Sequence, residues 1–115
     1  MAQVGRGDIW MCSFGKPDKR RPVLVLTRGE LIGHLHTVTV APITSTVRGI
    51  ASEVLLGVEA GLKGTSAINL DHVATVPRSG LRSFIGTVDD AVMDRVRQAL
   101  LFALGWSPPQ ERFKR

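Results

Sequence analysis

The 115-residue sequence is poor in cysteine and aromatic residues: one cysteine, no tyrosine, two tryptophans and four phenylalanines. A single thiol, Cys12, excludes an intramolecular disulfide and any multi-thiolate zinc site, and it suits a reducing compartment. Cys12 lies in an apolar run, where a buried structural thiol is expected rather than a nucleophile. So few rings disfavour a single-strand binder that works mainly by base stacking. No window approaches the roughly 20 apolar residues of a membrane span. Residues 1–8 (MAQVGRGD) have no apolar stretch behind a basic start, so no signal peptide is expected and the cytoplasm is the default location. Internal repeats and low-complexity blocks are lacking, as are the GxSxG, P-loop, GxGxxG and HExxH motifs.

What remains fits one ordinary domain over residues 1–106, with a loose tail at 107–115 that holds two prolines and mixed charge. The 43% of apolar residues is enough for a core without staples. Charge is the unusual quantity. Lys+Arg 15 against Asp+Glu 10 leaves a formal +5. Residues 1–88 hold ten basic and six acidic side chains (+4), and residues 89–115 hold five and four (+1). The excess therefore sits in the body of the chain and favours an anionic partner: nucleic acid, an acidic protein or a lipid surface.

Residues 9–14 (IWMCSF) and 22–27 (PVLVLT) read as two strands of a hairpin with a basic loop over 15–20. Residues 37–41 (TVTVA) alternate with period 2, and Pro42 is expected to limit that strand. Further short strands are expected at 53–56, 66–70, 73–76 and 84–88, so that short strands with glycine-marked turns suggest a small barrel or sandwich. The chain then changes character. Val92, Val96, Ala99, Leu100 and Ala103 recur at helical spacing, which predicts a helix over 89–104 that Gly105 ends. Thr87-x-x-Asp90 resembles a capping box at its start. The run Leu100-Leu101-Phe102 is apolar on more than one face, and so suits contact with a second subunit.

Three features could carry chemistry. In Lys16-Pro17-Asp18-Lys19-Arg20-Arg21-Pro22, four of seven residues are basic and lead straight into a strand. The segment is either a solvated hairpin or a phosphate-contacting loop whose last arginine is held by the strand; the planar guanidinium suits phosphate. Thr44, Ser45 and Thr46 place three hydroxyls at a strand end, able to satisfy turn backbone or to donate to a phosphate oxygen. Asp71-His72 offers an imidazole, the side chain that ordinarily exchanges protons near neutral pH. The pair His34 and His36 has no third ligand at a suitable spacing, so no metal site and no cofactor is expected.

In order, these pieces resemble the MazF/PemK toxin family. The likeness is carried by Arg6-Gly7-Asp8-Ile9, Arg21-Pro22-Val23-Leu24-Val25-Leu26 and Val38-Thr39-Val40-Ala41-Pro42-Ile43-Thr44-Ser45. It continues through Gly61-Leu62-Lys63-Gly64-Thr65-Ser66, Leu70-Asp71-His72-Val73-Ala74-Thr75-Val76 and Ala99-Leu100-Leu101-Phe102-Ala103-Leu104-Gly105. The resemblance implies a mainly β (α+β) fold, an SH3-like β-barrel with a C-terminal helix, forming homodimers. It also implies a metal-independent endoribonuclease that cuts single-stranded RNA, whether messenger, transfer or ribosomal. A cognate antitoxin with an acidic segment would compete for the same surface, and no membrane is involved.

The family's catalytic arginine falls on Arg21 and its catalytic threonine on Thr44. Around them, Lys16, Lys19, Arg20, Ser45, Thr46, Asp71 and Arg78 are the candidate RNA contacts, and His72 is a candidate for proton transfer. The sequence departs from many members in a shorter loop before Arg21 that lacks their Gly-Ser-Glu-Gln stretch, so base preference does not transfer. Trp10 comes one residue earlier than the usual aromatic, which leaves the face of the first strand open. His72 and Ala74 stand where many members have Gln and Arg. Two other readings compete with the ribonuclease: a non-catalytic gyrase poison of the CcdB type, and a plain RNA-binding barrel.

Overall fold

A computed structural model describes residues 3–14 and 19–106. Lys16 and the tail at 107–115 lie outside the described residues. Seven strands form one antiparallel sheet: β1 (Asp8–Ser13), β2 (Arg20–Val25), β3 (Thr37–Thr44), β4 (Glu53–Leu56), β5 (Ser66–Asn69), β6 (Ala74–Pro77) and β7 (Leu81–Thr87). Two helices, α1 (Gly29–Ile32) and α2 (Asp90–Ala103), and 3-10 turns at Val58–Ala60, Leu70–His72 and Arg78–Gly80 complete it. The main path runs β4-β5-β3-β2-β1-β7, and β6 pairs with the first half of β3. This is the small SH3-like barrel architecture with its C-terminal helix, and its ladder is left open between β4 and β7.

Alternation explains why the strands read as continuous apolar runs. Ile9, Leu24, Ala41 and Ile43 point to one side, into a cluster with Val54, Leu56, Ile68 and Leu70 that α2 covers with Val96 and Ala99. Trp10, Cys12, Val23, Val25, Val38 and Val40 point to the other side, where Val76 and Ile32 of α1 complete a second cluster. A sheet covered on both faces has no polar face to show. Trp10 is thereby assigned: it packs in the second cluster, edge-on to Phe84 with ring centroids 5.7 Å apart, and its indole donates to Asp8 Oδ2 at 3.3 Å.

Several boundaries differ from expectation for local reasons. β3 runs through Pro42 to Thr44, because its pairing with β6 ends at Val40–Ala74 and that with β5 begins at Ile43–Ile68. Pro42 sits at the changeover, where no donor is required on that edge. β2 begins at Arg20, so both arginines belong to the strand, and Phe14 N–H closes the hairpin onto the Lys19 carbonyl at 2.9 Å. β7 starts at Leu81 rather than Phe84. Ile85 and Arg82 are extra residues opposite β1, and these bulges keep the strand paired while bending a sheet edge. Leu70 leaves β5 for a 3-10 turn, β6 is displaced by one residue, and α1 was not expected.

Helix α2 begins differently from the expected capping box. Asp89 is its N-cap, accepting from Val92 N–H at 2.9 Å, while Thr87 Oγ1 donates to the Gly7 carbonyl at 3.3 Å. Its end follows the Schellman pattern: Trp106 N–H reaches the Leu101 carbonyl and Gly105 N–H the Phe102 carbonyl, at 2.8 and 3.0 Å.

The open side of the barrel is shut by backbone contact. A Cβ on Gly86 of β7 would lie 2.5 Å from the Ala60 carbonyl oxygen, and one on Gly61 would lie 2.7 Å from the Ile85 oxygen. Only two glycines let β7 lie this close to the turn after β4.

Candidate active site

An open pocket of about 460 Å³ lies where the ends of β2, β3 and β5 meet. The β2–β3 ladder ends at Val23–Pro42, and the same register continued two residues past it leads to Arg21 on one strand and Thr44 on the other. Both therefore face the same side at the strand ends, and both line the pocket. Arg21 is also held from its other edge, opposite the fully buried Cys12. Burial pushes the Cys12 thiol above its ordinary range, against a smaller opposing pull from Arg82, so it stays a packed thiol rather than a nucleophile.

His72 and Asp71 are adjacent but part company. Asn69 Oδ1 accepts from Asp71 N–H at 2.9 Å and starts the 3-10 turn that carries both. The turn sends His72 to the pocket and Asp71 to the buried Ser52, whose Oγ donates to Asp71 Oδ2 at 2.5 Å. The structure thus gathers Arg21, Thr44, Thr46, His72 and Lys19 in one place. None of the other described candidates lines this pocket. Ser45 and Asp71 do not line the pocket, and Arg20, next to Arg21 on one strand, faces the opposite side. Arg78 belongs to a second cavity, of about 1070 Å³, beside α1, and its Nη1 donates to the Ile32 carbonyl at 2.6 Å. His36 also lines that cavity; both His34 and His36 precede β3.

Phe14, Arg48, Glu53 and Asn69 line the site without having been singled out in the sequence. Phe14 offers the pocket one aromatic face. Arg48 stands two residues after the hydroxyl run, the only signal that could have found it. Among the described residues, the guanidinium groups of Arg21 and Arg48 have no hydrogen-bond or ion-pair partner. Three cations, two hydroxyls, one imidazole and the Glu53 carboxylate line the pocket, a set whose excess positive charge suits an anion. Among the described residues, no group of three His, Cys, Asp or Glu could hold a metal ion.

A small open barrel with a C-terminal helix carries an arginine and a threonine at one strand-end pocket. The model of the PemK-like, MazF-like toxins of type II toxin–antitoxin systems matches residues 5–104. The chain belongs to that family. It is 49% identical over 69 residues to the endoribonuclease MazF3 of Mycobacterium tuberculosis, covering 60% of this chain and 67% of the relative. The M. tuberculosis toxin MazF-mt6 superposes with a TM-score of 0.82 at 37% identity, covering 88% of this chain and 99% of that one. A mycobacterial endoribonuclease in complex with its cognate antitoxin superposes with a TM-score of 0.80 at 28% identity, covering 92% and 99%.

Proposed function

We propose that this protein is the toxin of a type II toxin–antitoxin pair, a metal-independent endoribonuclease of single-stranded RNA. The observation that carries the reading is that Arg21 and Thr44 line one pocket, the Arg21 guanidinium having no partner among the described residues. In the reaction the RNA's own 2′-oxygen bonds to the adjacent phosphorus and the P–O5′ bond breaks. The products are a 2′,3′-cyclic phosphate and a 5′-hydroxyl. Negative charge builds on the phosphorane oxygens, where Arg21 donates as a cation and Thr44 as a neutral hydroxyl. Arginine stays protonated and cannot take the 2′-proton. His72, in the same pocket, is the candidate for that transfer. Lys19 and Thr46 would contact the flanking phosphates, and the electropositive pocket gives the +5 charge a use.

The working unit is proposed to be a cytoplasmic homodimer. Phe102, Leu104 and Trp106, at the end of α2, are each more than half exposed, an apolar surface suited to a second copy. No helix among the described residues is long and apolar enough to cross a membrane. A cognate antitoxin with an acidic segment would silence the toxin by occupying the basic pocket.

Purified protein incubated with mixed-sequence RNA in chelator tests the assignment. Discrete cleavage products are expected. Intact RNA with a mobility shift would mark a binder, and inhibited supercoiling with intact RNA would mark a gyrase poison. His72→Gln is expected to remove one limb of the pH–rate profile. An unchanged profile would exclude His72 from proton transfer.

A further inference from the structure

Two charged residues of the pocket have no part in the chemistry above, Arg48 and Glu53. They are linked. After β3 the chain turns at Thr46, whose N–H donates to Thr44 Oγ1 at 3.1 Å. It then folds back on β4, where the N–H groups of Arg48 and Gly49 both donate to Glu53 Oε1, at 3.1 and 3.0 Å. Glu53 N–H returns a bond to the Ile50 carbonyl at 3.0 Å. Gly49 is left-handed, at φ +73°, a conformation in which successive amides can converge on one anionic oxygen. The loop that carries Arg48 to the pocket is therefore tied to the sheet by one carboxylate oxygen.

The second oxygen decides what Glu53 does. Oε2 is closed to solvent and, among the described residues, has no hydrogen-bond partner. With the loop in this position, an incoming RNA cannot reach it. The carboxylate acts on the loop, and what the loop presents is the exposed guanidinium of Arg48, which has no partner among the described residues. We infer that Glu53 is a positioning residue that fixes the loop after β3 so that Arg48 contacts an RNA phosphate at the pocket mouth. This rests on the ribonuclease reading and adds to it a substrate contact and the device that sets it.

The probe is a short, mixed-sequence single-stranded RNA with 2′-fluorine throughout, which binds without offering a nucleophile. Its Kd is measured across a salt series for the wild type and five variants. Arg48→Ala is expected to weaken binding about tenfold and to lower the slope of log Kd on log salt by about 0.7, one phosphate contact. Glu53→Ala reproduces both changes. Glu53→Gln keeps a carbonyl acceptor about half as strong, and stays within about threefold of the wild type. The double variant Glu53→Ala/Arg48→Ala binds no more weakly than Arg48→Ala, because both substitutions remove the same contact.

The inference is overturned if Glu53→Ala leaves affinity and slope unchanged, if Gln is as damaging as Ala, or if the two losses multiply. Gly49→Ala strains the same turn and leaves the carboxylate intact. Should Glu53→Ala lose its fold, Gly49→Ala decides: the same loss is expected, and wild-type affinity overturns the inference. Unmodified RNA run in parallel separates the two claims. A wild type that binds but does not cleave overturns the ribonuclease reading while the affinity ratios still judge Glu53; one that does not bind overturns both.

Discussion

Arg21→Ala is expected to lower kcat/KM for RNA cleavage by about 10²–10³-fold, the usual effect of losing one preorganised donor to a developing oxyanion. The fold is expected to survive. Arg21 is exposed, and its guanidinium has no partner among the described residues, so its removal leaves no buried group unsatisfied. The β1–β2 ladder needs only its backbone. Arg21→Lys keeps the charge and loses the planar fork, so it should recover only part of the rate. Kinetics paired with a thermal midpoint check both halves of the prediction. Near-normal cleavage by Arg21→Ala would remove Arg21 from the chemistry.

The second large effect falls on stability. A Cβ on Gly86 would sit 2.5 Å from the Ala60 carbonyl oxygen, and the obstacle is backbone, which cannot rotate aside. Gly86→Ala must therefore prise β7 from the turn after β4, along the side where no ladder joins the sheet ends. Overpacking of this kind costs about 1–3 kcal/mol. For a domain of this size that lowers the thermal midpoint by roughly 4–8 °C per kcal/mol. Gly64→Ala is the control, since a Cβ there meets nothing within 4 Å, and its effect is expected within about 0.5 kcal/mol. Equal midpoints for the two variants would show that the seam carries no constraint.

Gly61 and Gly86, the glycines of this seam, also mark where sequence reading stops. The strand segments were legible because both sheet faces are buried, so Val23, Leu24 and Val25 announce themselves as an apolar run. Helix α2 was legible from spacing alone. Its cap was not: Thr87 and Asp89 are both good caps, and the choice between them was made by Gly7, far away in the chain. Pro42 misled because its effect depends on which partner strand stands beside it.

The candidate site divides in the same way. Arg21 and Thr44 could be named from the order of motifs, and the β2–β3 register brings them to one pocket. Asp71 and His72, or Arg20 and Arg21, are neighbours whose side chains diverge, which local sequence cannot reveal. Glu53 reads as an ordinary charged start to a strand. Its role depends on hydrogen bonds from a loop that closes only in three dimensions.

The ends of the cut RNA test the central claim most directly. If the substrate's 2′-hydroxyl is the nucleophile and no metal takes part, cleavage in chelator leaves a 2′,3′-cyclic phosphate on one fragment and a 5′-hydroxyl on the other. Fragments ending in 3′-hydroxyl and 5′-phosphate, or RNA left intact by folded wild-type protein, would contradict it.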